Sequence, residues 1–331
     1  MSPLRLLCVA GALYGTAIEA QARNGFSWHF GQSVPVSVSG ELSQPLAYAA
    51  LKDGSIVTVE FQSTSVSRYS VSGAQIWKVG RAGSGPGEFR VPYRLAVLDD
   101  ETILVFDIGT ATTTRLSPAG KFLGTLKSDL PISINSVLAM PNGDILMSGT
   151  TADPRGRGQA LHLFGPTLKH KRSFGRLPDV TDPRLRRVVS PGTLGVHARD
   201  GFFHTVDFPH ELVVYSWDLK ELKRVSIPVE IDPPETWVTF ATTADGRSSV
   251  RTNREAKRPR SVLQLGDDLF LGGYVSAKSS VVLFDSEGRL IDEMPQPAEW
   301  SAVATFDSRS RQLWIYGERN DEPMLFRIPV R

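Results

Sequence analysis

The chain has 331 residues, 37 basic and 35 acidic side chains, 41% hydrophobic residues and 22% charged residues. With 16 Phe, 7 Tyr and 6 Trp it can build a core, which excludes a disordered chain. A net charge of +2 lacks the basic excess of a nucleic-acid binder, and one Cys excludes a disulfide framework, a Cys-based zinc site and a CxxC redox centre.

Residues 1–22 read as an export signal. Arg5 supplies the positive start, Leu6 to Ile18 the apolar run, and Ala20-Gln21-Ala22 a small-x-small cleavage site, so the mature chain is expected to begin at Arg23. The run is shorter than the roughly 20 residues of a membrane span. Cys8 lies inside it and lacks the small residues that precede a lipidated Cys, so the mature chain is Cys-free, which suits the periplasm or the medium. No later stretch approaches about 18 apolar residues, so no membrane span is expected.

From there one unit recurs: an apolar strand, a polar turn and a strongly apolar strand. The turns are Lys52-Asp53-Gly54, Asp99-Asp100-Glu101, Pro141-Asn142-Gly143, Arg199-Asp200-Gly201, Gly266-Asp267-Asp268 and Asp307-Ser308-Arg309. Asp-Gly and Asn-Gly favour such hairpins because they adopt positive φ cheaply. The β-branched and aromatic runs Ile56–Glu60, Ile103–Asp107, Ile145–Gly149, Phe202–Val206, Leu269–Gly273 and Leu313–Gly317 follow these turns. A third strand follows each, and in five copies a second turn and a fourth strand, as in Ile76–Val79 and Phe122–Thr125. Six four-stranded antiparallel meanders, roughly 40–65 residues apart, predict an all-β, six-bladed β-propeller in one domain over 23–331.

The sixth copy stops at Arg331 after its third strand. The alternating Val34, Val36 and Val38 within Phe26–Ser39 are expected to supply the missing strand and close the ring, since an open blade would leave a sticky edge. Gly80–Pro92 is expected to be the first inter-blade loop.

The run Gly80-Arg81-Ala82-Gly83-Ser84-Gly85-Pro86-Gly87-Glu88-Phe89, with Pro92 and Ile103-Leu104-Val105-Phe106-Asp107 after it, resembles the NHL-type repeat. The mature chain as a whole looks like the bacterial secreted six-bladed propellers of the NHL/TolB-like group. That resemblance implies the fold. Function has to come from a site, since one propeller type hosts many activities.

Several candidates stand out. The Gly83–Gly87 run lacks the Lys-Ser/Thr of a phosphate loop and reads as a tight turn. Glu60, Asp107, Asp207 and Glu318 end the second strands; they could gather calcium, which takes six to eight oxygens, or cap their own turns. Tyr93 and Arg94 after Pro92, Asn135 after Pro131, Thr193 after Pro191, and Arg260 after Pro259 open the first strands, which line a propeller's axis. Arg94 and Arg260 could clamp a carboxylate or phosphate with their planar forks, or pair with those acids.

Resemblance to the lactonase-like calcium-dependent propeller hydrolases would give Glu60, Asn135 and Asp207 the metal-ligand parts. The peptide-amidating lyase of the NHL group is disfavoured, because its disulfides have no counterpart here. The six His include a dense stretch at His204, Asp207, His210 and Glu211, without an HExxH motif or three zinc ligands. No G-x-S-x-G elbow exists.

Two long connections interrupt the repeat. Asp232–Arg258 carries Trp237, Phe240 and the cations Arg247, Arg251, Arg254, Lys257 and Arg258; Leu177–Pro191 carries Arg184, Arg186 and Arg187. Each reads as a solvated flap or as a basic surface on one face. The leading expectation is an exported, monomeric, non-catalytic propeller. It would bind a small molecule, peptide or protein through Tyr93, Arg94, Asn135 and Arg260, with no nucleic-acid partner. A Ca²⁺-dependent hydrolase is the alternative.

Overall fold

A computed structural model describes residues 26–331 apart from 40–41, 43–44, 178–179, 181, 183, 186–188, 190, 198–200, 243–247, 267 and 321. The expected export segment, the turn positions Arg199, Asp200 and Asp267, and the cations Arg186, Arg187 and Arg247 therefore lie outside the described residues.

The expected ring is present. Six four-stranded antiparallel sheets form among the described residues, each in plain meander order. Blade one runs Pro45–Ala50, Ile56–Glu60, Ser65–Tyr69 and Gln75–Val79. The innermost strands of blades two to six are Pro92–Val97, Ser133–Ala139, Leu194–His197, Arg258–Gln264 and Trp300–Asp307. Each innermost strand neighbours the next, and the sixth neighbours the first.

Burial follows from this stacking. The second strands are sandwiched between neighbouring sheets, so Ile56–Glu60 and Ile103–Asp107 are buried throughout, and all their members but Thr58, Glu60 and Asp107 are apolar. Gln75–Val79 lies outermost and alternates between partly buried and exposed, the pattern of a half-wetted strand. The core is divided into one cluster per gap. Phe106 and Leu104 of blade two meet Met147 and Phe164 of blade three, and Phe203 of blade four meets Phe270 and Phe284 of blade five. Each such side chain contributes about 1.5–3 kcal/mol by leaving water.

Closure comes from the beginning of the described chain. Val34–Val36 pairs antiparallel with Glu322–Pro329 as the outermost strand of blade six, Val34 opposite Arg327 and Val36 opposite Leu325. Beyond it, Ser39 bridges to Ala74 on blade one, and its backbone N–H donates to the Gly73 carbonyl at 3.0 Å. Before it, the short helix Phe26–His29 packs Phe26 into the gap between blades five and six. One segment thus touches blades five, six and one.

The glycine run is the tight turn that the sequence suggests. The Glu88 carboxylate accepts from the Ser84 and Gly85 backbone N–H groups. A Cβ on Gly83 would stand 2.1 Å from that carboxylate, and Gly80 sits at φ +94°.

The connection after blade four is more ordered than a flap. It contains a short 3-10 turn, Pro234–Thr236, and a hairpin of Val238–Thr242 with Ser248–Thr252. It packs against the connection before blade four through Val180, Leu185, Val189, Trp237, Val238 and Ala256. Trp237 Nε1 donates to the Asp232 carbonyl at 2.7 Å, and the Arg184 guanidinium lies 4.5 Å from the Phe240 ring centre. Part of the basic strip is neutralised, since Lys257 pairs with Glu293 and Arg184 with Asp182.

His204 and His210 are buried against blade four. His204 is enclosed and its Nε2 bonds to the Pro191 carbonyl; His210 Nε2 meets the Tyr274 hydroxyl at 2.8 Å. Desolvation pulls both imidazoles down to a pKa of about 4.

Two outcomes follow from this architecture. Val36→Asp places a charge in the gap between blades six and one and should cost about 3 kcal/mol, lowering Tm by roughly 5–10 °C. Val34→Asp, at the exposed end of the same strand, should change Tm little. Equal melting of the two variants in a calorimeter would dismiss the closure argument. The second outcome concerns pH. The unfolded chain protonates His204 and His210 near pH 6.5, the native chain only near pH 4. Their stabilisation is therefore complete above about pH 6.5 and is lost as pH falls towards 4, by up to about 3 kcal/mol each. Urea midpoints of wild type and His210→Phe should diverge over that window, the variant falling less steeply; parallel curves would refute the buried neutral imidazole.

Candidate functional site

The innermost strands enclose an axial cavity of about 990 Å³. Its lining begins at the N-terminal ends of these strands, with Pro45, Tyr93, Asn135, Thr193 and Pro259. It reaches Gln264, Thr305 and Ser308 at their far ends on blades five and six. No described residue of the two long connections contributes to it.

Repeated bulges build the wall. The register between the innermost and second strands shifts by one residue between Pro45 and Ala47, Pro92 and Arg94, Ile134 and Ser136, and Pro259 and Ser261. The residues displaced from the ladders are Leu46, Tyr93, Asn135 and Arg260, and all four line the cavity. A bulge frees one residue from strand pairing and re-aims its side chain, which is why bulges gather at sites. Pro precedes the extra residue in blades one, two and five. Lacking an N–H, it fits the first position of a strand and marks where pairing is weakest. Blade six shifts between Trp300 and Ala302; in blade four the paired residues from Leu194 to His197 run in register.

Arg94 is the most constrained side chain of the wall. Its Nε donates to the Asn135 carbonyl on the next blade, Nη1 to the Tyr93 carbonyl at 3.1 Å and Nη2 to the Tyr93 hydroxyl at 3.0 Å. The guanidinium lies 3.8 Å from the Tyr93 ring centre, a cation–π contact. Asn135 carries the chain of bonds onward, donating from Nδ2 to the Gly192 carbonyl at 2.7 Å. Blades two, three and four are thus tied together around the cavity. Three of the five guanidinium N–H groups are engaged, and two remain. Desolvation lowers the Arg94 pKa, and among the described residues only Tyr93 offsets it; no carboxylate does.

Arg260 is open to water inside the cavity, yet the surrounding walls desolvate it enough to lower its pKa; Tyr48 opposes that shift and Arg258 adds to it. Burial raises the Tyr48 phenol well above its usual value. Arg311 also lines the cavity, its Nε donating to the Val330 carbonyl at 3.0 Å.

All four candidate binding residues, Tyr93, Arg94, Asn135 and Arg260, therefore meet at one cavity, with Thr193 beside them. The acids part company. Asp207 lines the cavity. Glu60 is fully buried within blade one, where Thr58, Ser63 and Tyr69 donate hydroxyls to its carboxylate, and it is not part of the lining. Asp107 caps its own loop, accepting from the N–H groups of Arg90, Val91, Gly109 and Thr110 at 2.6–3.1 Å. Glu318 is exposed. Among the described residues no group of three or more His, Cys, Asp or Glu is placed to hold a metal. Leu46 and Val196 line the cavity but carry no polar signal that would single them out in the sequence.

No protein-family model matches the chain, and no curated protein matches it in sequence. Solved structures do. A candidate exported protein of Bacteroides fragilis superposes with a TM-score of 0.66 at 11% identity, over 91% of this chain and 95% of that one. Virginiamycin B lyase of Staphylococcus aureus gives 0.54 at 11% identity over 91% and 99%. The PQQ-bound aldose sugar dehydrogenase of Streptomyces coelicolor gives 0.54 at 12% over 91% and 98%. At such identities the shared feature is the propeller fold. No helix among the described residues is long and apolar enough to cross a membrane.

Proposed function

We propose that the protein is an exported binding propeller whose axial cavity takes a small ligand bearing a carboxylate or phosphate. The observation that carries this reading is Arg94: a desolvated guanidinium, clamped by Tyr93 and Asn135, with no carboxylate offsetting its burial among the described residues. Desolvating a cation is expensive unless an anion meets it. Arg260 adds a second cation from blade five, and cationic walls of low dielectric raise the local concentration of anions. Tyr93 and Asn135 fix the fork before the ligand arrives, so little ordering is required on binding.

The export signal read at residues 1–22 supports a secreted or periplasmic location. The Gly80–Phe89 passage supports membership of the NHL/TolB-like group. The protein acts as a monomer, because the site is complete within one ring.

A calcium-dependent hydrolase on Glu60, Asn135 and Asp207 has less behind it. The hydroxyls of Thr58, Ser63 and Tyr69 already occupy the Glu60 carboxylate, which is buried in blade one and is not part of the cavity lining that holds Asn135 and Asp207.

The binding reading is tested by thermal shift with inorganic phosphate and with acetate at low ionic strength. Either anion should raise the Tm of the wild type by linkage. Arg94→Met with Arg260→Ala should abolish that rise while the anion-free Tm stays within a few degrees. A rise that survives the double substitution would reject these residues. The hydrolase reading predicts a large Tm rise with Ca²⁺, reversed by chelator. We expect melting to be indifferent to Ca²⁺; a chelator-reversible rise that Asp207→Asn removes would favour the enzyme instead.

A further inference from the structure

The cavity is far larger than a carboxylate or phosphate, and its remaining wall is not polar throughout. About 990 Å³ lies at the upper end of small-ligand sites. Blade one contributes Leu46 from its bulge and blade four contributes Val196; both line the cavity and stay exposed, at 37% and 53%. Large apolar side chains left wet inside a concavity are stabilised by whatever covers them. Leu46 occupies in blade one the bulge position that Arg260 occupies in blade five. The same structural position therefore presents a cation on one side of the ring and an isobutyl group on another.

We infer that the ligand is a monocarboxylic acid with an apolar alkyl or aryl body, its carboxylate at Arg94 and its body against Leu46 and Val196. This rests on the anion-binding reading above and adds the second half of the ligand. The two N–H groups of Arg94 not engaged by Tyr93 and Asn135 are charged donors, which a carboxylate accepts from more strongly than a neutral group does. The apolar body supplies affinity that a small anion cannot, because it takes Leu46 and Val196 out of water.

Isothermal titration of the mature chain with acetate, butanoate, hexanoate and octanoate at low ionic strength tests this, with octan-1-ol and inorganic phosphate as comparators. Affinity should rise about two- to fourfold for each added methylene. Octanoate should bind at least tenfold tighter than octan-1-ol and phosphate. Arg94→Met should weaken all four acids by a similar factor. Leu46→Asn with Val196→Asn, both at exposed positions, should flatten the chain-length series and leave acetate unchanged, with the melting curve confirming the fold. Acetate and phosphate binding that depends on Arg94 but shows no chain-length slope would overturn this inference and leave the anion site standing. Absence of binding by every anion would overturn both.

Discussion

Everything in this molecule depends on three residues of backbone pairing. Val34, Pro35 and Val36 lie against Arg327, Phe326 and Leu325, and by doing so turn six sheets into a ring. Each blade is apolar on both faces, so no blade can be stable with only one neighbour. The gap between blades six and one holds Trp314, Tyr69 and Leu325, all with 1% exposure or less, and it exists only if the ring is shut. The closing strand itself is short, carries Pro35 and has Val34 exposed, so it offers little edge to another chain. Its neighbours reinforce it, since Phe30 bridges to Val330 and Ser39 to Ala74.

Closure also makes the site. Leu46, Tyr93, Asn135, Val196, Arg260 and Thr305 come from six different blades, and none of them would face a common space in an open array. The division of labour is physical. Cores between blades are packed from the second and third strands, whose side chains have no freedom to change size. The bulge residues are released from the ladder and face the axis, where a leucine, a tyrosine, an asparagine and an arginine are all accommodated. Side chains can vary at these positions without disturbing the gaps.

Much of this architecture is legible in the sequence because its signals are local. Asp53-Gly54 and Asn142-Gly143 announce hairpins by residue type, and both glycines do adopt φ +80°. The alternation of Val34, Val36 and Val38 announces an edge strand, and a sixth repeat lacking a fourth strand announces where it goes. The site is only half legible. Tyr93, Arg94 and Arg260 are polar or aromatic residues next to Pro at the start of an apolar strand, which marks them. Leu46 follows Pro45 in the same way, but a leucine in a strand reads as core. The bulge that exposes it is defined only against the partner strand. Glu60 and Asp207 look equivalent along the chain. Glu60 nevertheless turns into blade one, because Thr58, Ser63 and Tyr69 bring three hydroxyls to it, and nothing in their spacing says so. The hairpin within 232–258 was hidden for another reason: an insertion breaks the repeat spacing against which strands are recognised.

The distribution of arginine partners gives the argument for the cavity its force. On the outer surface Arg68 pairs with Asp53, Arg155 with Asp153, Arg224 with Glu211 and Glu221, Arg289 with Asp285, and Arg319 with Glu299. Water screens those charges, and such pairs contribute about 0–1 kcal/mol. Arg94 is in the opposite situation. It is desolvated, held by two carbonyls and a phenol, and the described residues give it no carboxylate, although the chain carries 35 acids. A guanidinium that is desolvated, met by no acid among the described residues and fixed from two blades is the feature on which the proposed anion site rests.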